Sequence, residues 1–289
     1  MTTQVMTSTP TRWLNFRAED KLWLSVGLYG SLFLTLFFPL SIIVIWSMVS
    51  KDYGWFAPDL FPEALAMDFW RDVFNTGNVM GSVALSLGIA CIVTFSTAVL
   101  ALPTAYALAR FPFRLKRAVE IYVLAPMIVP GIVVATGLGE LFFRIGLNQT
   151  IVGVILAQIV GTLPLMIRLL SATLESIPSD ILHAARMLGA RPMQMVFHIV
   201  VPMALPGFVA GSLLSFISSF EEFDKTFIVG APLVQTLPVR LFNYIDGSTV
   251  IFPLASVVAL LLLIPMIVIF YLAGRVARDD VMASGMGKL

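Results

Sequence analysis

Charge is what this 289-residue chain has least of: 12% of its residues are Asp, Glu, Lys or Arg, where an ordinary soluble domain carries about a quarter. With 58% hydrophobic residues and a mean hydropathy of +0.94, that scarcity excludes a soluble globular domain and points to a polytopic membrane protein. The net charge of +1 lacks the basic excess that nucleic-acid binding draws on, so nucleic acid is excluded as a partner. Cysteine occurs once, as Cys91 inside an apolar run, which rules out an intrachain disulfide and leaves a thiol whose simplest expected role is packing. Histidine occurs twice, His183 and His198, with no Cys or carboxylate at ligand spacing, so no metal site is expected. There is no G-x-x-x-x-G-K-[ST] run, no serine elbow and no H-E-x-x-H. An ATP site, a cofactor in this chain and an enzymatic role all lack their residues.

What is present is apolar length. A hydrocarbon core about 30 Å thick needs roughly 20 apolar residues per helix. Six stretches qualify: Leu22 to Met48, Met80 to Leu108, Val119 to Phe143, Ile151 to Leu170, Val200 to Phe220 and Val250 to Leu272. The fold class is therefore an all-α membrane protein of about six transmembrane helices. The segment through Asp20 is polar and lacks a signal peptide's short apolar core and cleavage site, so the first span is expected to be retained.

Lysine and arginine distribute unevenly between the loops. One side receives Arg12, Arg17, Lys21, Arg110, Arg114, Lys116, Arg117, Arg168, Arg186, Arg191, Arg275, Arg278 and Lys288; the other receives only Lys51, Arg71, Arg144, Lys225 and Arg240. The positive-inside rule puts the first set, and with it both termini, in the cytoplasm. That gives a cytoplasmic tail over 1–21, a transmembrane domain over 22–274 and a second cytoplasmic tail over 275–289.

The most informative loop lies on that cytoplasmic side, within 172–200 and running on to Pro206: S-D-I-L-H-A-A-R-M-L-G-A-R-P-M-Q-M-V-F-H-I-V-V-P-M-A-L-P from Ser179. Ser179 or Asp180 can cap a helix start, and Ile181, Leu182, Ala185 and Leu188 fall on one side at spacings of three and four. Gly189 suits a left-handed C-terminal cap, and Pro192 the first turn of a second helical piece. The residues alone allow an amphipathic connector resting on the bilayer or its own bundle.

The same loop resembles the E-A-A-x-x-x-G-x9-I-x-L-P loop of the inner-membrane permease subunits of bacterial ABC importers, with Ala184, Ala185, Gly189, Ile199 and Pro202 at matching positions. His183 stands where the family has Glu, and Val201 where it has Leu. The resemblance implies a MetI-like permease fold and a coupling helix docking on a cytoplasmic ABC ATPase dimer through Asp180, His183, Ala184, Ala185, Arg186 and Gly189. ATP and Mg would be bound by that partner. It further implies half of a translocation pore, a second homologous or identical permease subunit, a periplasmic or extracellular solute-binding protein, contact with membrane lipid, and a multi-pass place in the bacterial inner membrane.

Further matches run along the chain. Met67 to Phe74, M-D-F-W-R-D-V-F, is similar to the short helix before the family's second membrane helix and also reads as an interfacial amphipathic helix. Ala125 to Leu138 resembles the P-x-x-x-P-G stretch of the third helix, and Pro130 and Gly131 imply a kink and a close helix contact. In the fifth span Ser212, Ser215, Ser219 and Glu222 line one helical face, with Glu221 and Asp224 beside its end. Ser215, Ser219, Glu221, Glu222 and Asp224 are the expected substrate pathway, since acidic groups at a membrane-helix end are costly to bury and draw cations. The order S-F-E-E-F-D, V-G-A-P, T-L-P-V looks most like the second permease of spermidine/putrescine-type importers. That implies a polyamine or related organic cation; iron, phosphonate and sulfate are carried by neighbouring groups. A membrane-embedded enzyme or a structural membrane protein is the rival class.

Overall fold

A segment surrounded by lipid must satisfy its backbone N–H and C=O groups internally, which makes helix the default for a chain this apolar. The structure is a computed structural model; it describes residues 18–53, 55, 59, 61–246 and 251–285, with side chains for 23 and for those from 25 to 271. In chain order the helices are α1 (Ala18–Ser47), α2 (Asp68–Thr76), α3 (Asn78–Arg110), α4 (Lys116–Ile128), α5 (Gly131–Ile145), α6 (Ile151–Ser176), α7 (Ser179–Met187), α8 (Pro192–Met195), a π turn (Val196–Val200), α9 (Val201–Phe220), α10 (Asp224–Gly230), α11 (Leu237–Asp246) and α12 (Phe252–Gly285). Among the described residues the only strand-like pairing is one antiparallel bridge, Val49 to Leu65. Arg12, Arg17 and Lys288 of the orientation count lie outside the described residues, and of Lys21, Arg275 and Arg278 only the backbone is described.

Five helical segments are long and apolar enough to cross a membrane: Ser25–Ser47, Asn78–Arg110, Ile151–Ser176, Pro192–Phe220 and Phe252–Tyr271. The sixth expected stretch, Val119 to Phe143, falls on α4 and α5, which are long and apolar enough for a span only when taken together and which meet at 100°. Proline is the cause. Val129, pressed by the ring of Pro130, is extended at φ −79° and ψ 133°, and α5 restarts at Gly131 with Pro130 as its cap. The kink expected at Pro130 and Gly131 is thus a full corner. The short helix expected around Met67 to Phe74 forms as α2, which leads into α3 through Gly77 at φ +67°.

Three apolar clusters hold the bundle, and α3 contributes to all of them. At the end that carries α7, called the inner end below, Ala98, Ala101, Ala105 and Leu108 of α3 pack with Met166, Leu170 and Leu174 of α6 and with Val200 and Ala204 at the start of α9. Toward the opposite end, called the outer end below, Ile89 and Val93 meet Phe142, Val154, Ala157 and Val229. A third cluster joins Val73, Val79, Ala90, Phe220, Leu237, Val257 and Val258. Helix α11 is also pinned to α3 by two polar contacts, Leu237 N–H to Ser86 Oγ at 2.8 Å and Arg240 Nε to Ser82 Oγ at 2.7 Å.

Lipid tails are as apolar as leucine, so helices in a bilayer associate through close packing at small residues. The α6–α9 seam shows this. Gly207 has no room for a Cβ because the Thr173 side chain occupies the space, and at Gly211 the Met166 sulphur does the same. By contrast Gly88 on α3 has nothing within 4 Å. Gly207→Val is therefore expected to cost about 1–3 kcal/mol by overpacking, visible as a lowered thermal midpoint of the detergent-solubilised protein. Gly88→Ala, measured beside it, should leave the midpoint unchanged or higher.

Candidate functional site

Two places carry the residues singled out from the sequence: the α7 loop at the inner end of the bundle, and the junction of α9 with α10 toward its outer end. Pro178, not Ser179 or Asp180, is the N-cap of α7, and no side chain caps it. The C-terminal end follows expectation. Gly189 has φ +82°, Gly189 N–H donates to the Arg186 carbonyl at 2.9 Å, and Ala190 N–H reaches back to Ala185 at 3.0 Å. This is the paired-bond close of a Schellman turn. Pro192 opens α8, where Arg191 N–H donates to Gln194 Oε1 at 2.9 Å.

The surface of α7 is largely uncovered. Asp180, His183, Ala184, Arg186 and Gly189 are exposed and Ala185 is half-buried. Leu182 alone of α7 packs on the inner apolar cluster. Of the expected apolar side, Leu182 and Ala185 are half-buried, while Ile181 and the C-cap residue Leu188 are exposed. Met187 and Leu188 are 89% and 88% exposed and, with exposed Met193, form an apolar tip. Sequence reasoning missed this tip; the signal was two large apolar residues directly before the Gly189 turn.

The expected serine face of α9 divides in two. Ser215 and Ser219, 0% and 4% exposed, turn into the bundle in line with Gly207 and Gly211. They continue the small-residue seam and are packed inside the subunit. Ser219 Oγ donates to Gln158 Oε1 at 2.5 Å, Gln158 Nε2 donates to Thr226 Oγ1 at 2.8 Å, Thr162 Oγ1 donates to the Gln158 carbonyl at 3.1 Å, and Thr97 and Thr162 hydroxyls lie 2.9 Å apart. A hydrogen-bonded chain thus crosses α3, α6, α9 and α10. Gln158 at its centre went unnoticed because a single amide in an apolar run has no periodic signature.

Beyond Phe220 the chain folds back, and α10 lies in a cradle of glycines. A Cβ at Gly161 would come within 2.9 Å of Lys225 Cε, one at Gly139 within 2.7 Å of Ile228, and one at Gly131 within 3.0 Å of Asp224 Oδ2. Gly161 stands ten residues inside the start of α6, or about 15 Å at 1.5 Å per residue, so the acidic junction is sunk below that helix end. Lys225, 7% exposed, donates from Nζ to Glu222 Oε2 at 2.6 Å and from its backbone N to Oε1 at 3.0 Å. Glu222 is thereby neutralised. Asp224 sits beside the N-terminal turn of α5, where unpaired N–H groups and the helix dipole favour a carboxylate. Glu221 is exposed. Neither Glu221 nor Asp224 has a side-chain hydrogen-bond or ion-pair partner among the described residues. Together with Ser218, Glu222 and Phe223 they line an open hollow of about 360 Å³.

The comparisons with known proteins agree with this arrangement. Residues 99–278 match the family described as binding-protein-dependent transport system inner membrane component. The trehalose transport system permease protein SugB of Mycobacterium tuberculosis is 34% identical over 212 residues, 72% of this chain and 77% of that one. The spermidine/putrescine transport system permease protein PotC is 27% identical in Haemophilus influenzae, over 85% of this chain and 93% of the relative. In Escherichia coli K12 it is 26% identical, over 88% and 93%. Among solved structures, a bacterial ABC transporter importing the acidic polysaccharide alginate superposes with a TM-score of 0.71 at 20% identity, covering 90% of this chain and 98% of that one. The MetNI methionine ABC transporter, in an inward-facing conformation, gives 0.59 at 23% identity over 70% and 95%. With that family matching over more than half of the chain's length and five membrane-spanning helices beside the bent α4–α5 pair, the chain belongs to the binding-protein-dependent transport system inner membrane component family and is an inner-membrane permease subunit of an ABC importer.

Proposed function

We propose that this subunit forms half of the translocation pore with a second, homologous or identical permease, takes its driving force from a cytoplasmic ATPase pair seated on α7, and receives solute from a binding protein on the outer face. Both termini lie in the cytoplasm on this reading, and ATP and Mg belong to the ATPase. The observation that carries it is the α7 tip: Met187 and Leu188 are exposed at the end of a helix whose anchor in the inner apolar cluster is Leu182, and Met193 of α8 is exposed as well. Exposed apolar groups rimmed by Asp180, His183, Arg186 and Arg191 suit a protein groove. The double variant Met187→Asp/Leu188→Asp should lower the amount of ATPase that co-purifies in mild detergent at least tenfold, equivalent to about 1.4 kcal/mol. Gly189→Val, which forces a β-branched residue to φ +82°, should strain the loop by about 1–2 kcal/mol and cut uptake while membrane insertion persists.

For the solute, the supporting feature is the hollow at Glu221 and Asp224, two free carboxylates beside the Phe223 ring, a combination suited to an organic cation of the polyamine class. The likeness to PotC over most of its length supports the same class. Glu222 is set apart from this role by Lys225. A second reading, a neutral sugar, is favoured by that neutralisation and by the higher identity to a permease named for trehalose. Uptake into vesicles with the assembled transporter separates them. Under the cation reading, Glu221→Gln with Asp224→Asn reduces spermidine uptake about tenfold and leaves ATPase co-purification intact. If uptake of labelled trehalose, not spermidine, is found and the double variant does not alter it, the sugar reading takes its place.

A further inference from the structure

The inner end of α3 and the stem of α7 are joined by a single polar contact. Arg110, the last residue of α3, donates from Nη2 to the Ile177 carbonyl at 3.0 Å. Ile177 caps the C-terminus of α6, where carbonyls lack helical donors and partial negative charge collects. Pro178 follows with no N–H to offer, and Ser179 begins α7. The bond therefore lies two residues before the helix that meets the ATPase. Arg110 Nε is buried without an acceptor among the described residues, so this one bond and the packing of the stem hold the guanidinium.

The remaining ties between α3 and this corner are apolar. Leu182 of α7 packs on a cluster that includes Leu108 and Ile177, with Ala109 at its edge. Apolar contact is non-directional and lets surfaces slide; a charge-assisted hydrogen bond fixes position and angle. Helices α6 and α7 are joined covalently through Ile177 and Pro178. Helix α3 is a separate stretch of chain, and at its inner end it has the Arg110 bond as its directional link to them.

We propose that Arg110 is a positioning residue that binds α3, the end of α6 and α7 into one lever, so that displacement of α7 by the ATPase is delivered to α3. This rests on the importer reading. A positive residue serving only as a topology anchor would need its charge and not the bond, so the two roles separate.

The test uses the transporter purified with its ATPase, in a Cys91→Ala background, with spin labels at Leu102→Cys on α3 and Ser179→Cys at the start of α7. With Arg110 intact, the distance distribution between the labels is expected to stay narrow and unshifted when ATP and vanadate are added. In Arg110→Met, which keeps the apolar stem, the distribution broadens even without nucleotide, and ATP hydrolysed per solute taken up rises at least fivefold. Arg110→Lys, which retains a donor, brings that ratio back to within about twofold of wild type. The proposal is overturned if Arg110→Met lowers only the amount of assembled complex, with label distances and the ATP-to-solute ratio unchanged. Should no ATPase accompany the wild-type protein, the importer reading fails instead, and the nucleotide-free distance distributions still decide whether Arg110 holds α3 to α7.

Discussion

Everything in this bundle depends on how closely α9 can approach α6. In water, burying apolar side chains would draw the two helices together; in a bilayer that gain is absent, and contact must come from backbones brought near enough to pack. Gly207 and Gly211 provide the approach, Ser215 extends it, and Ser219 ends it in a hydrogen bond to Gln158. Once the seam is set, the position of Phe220 follows, and with it the point at which the chain turns back into α10. The hollow at Glu221 and Asp224 is therefore a consequence of packing along the length of α9.

The second dependence is on glycine at the receiving surface. Helix α10 enters against Gly131, Gly139 and Gly161, three positions on two consecutive helices that lie more than sixty residues before it in the chain. Charge inside the bundle is handled by the same fold-back. Lys225 is held against α6 and paired with Glu222, and Asp224 lies near the opening turn of α5. One positive side chain and one helix end each answer a carboxylate, and Glu221 is left to water.

Much of this architecture was legible in the chain. Apolar length found five uninterrupted spans, and Pro130 with Gly131 marked the site of the break, although a proline signals disruption and not its angle. Gly189 and Pro192 correctly marked the end of one short helix and the start of the next, because each answers a local backbone demand. What was not legible is of another kind. Helical spacing put Ser215 and Ser219 on one side of α9 but does not encode that this side meets Gln158 of α6. It likewise put Leu188 on one side with Ile181, Leu182 and Ala185 without encoding which of them the bundle would cover. The fold-back of α10 and the role of Gln158 rest on contacts between distant segments, which no local pattern encodes.

The chain of hydroxyls and amides from Thr97 through Thr162 and Gln158 to Ser219 and Thr226 has a mechanical meaning. It crosses the helices at about the same depth, outward of the inner apolar cluster. On the other side of that level, toward α7, the Arg110 bond to Ile177 ties α3 to the end of α6, while Val200 and Ala204 of the α9 stem meet Leu170 and Leu174 through apolar surfaces that can slip. Relative motion at that end is therefore cheapest between the α9 stem and the unit of α3, α6 and α7. A push on α7 would be taken up as shear along that contact and as rotation about the polar stitch, which acts as the fulcrum of the subunit.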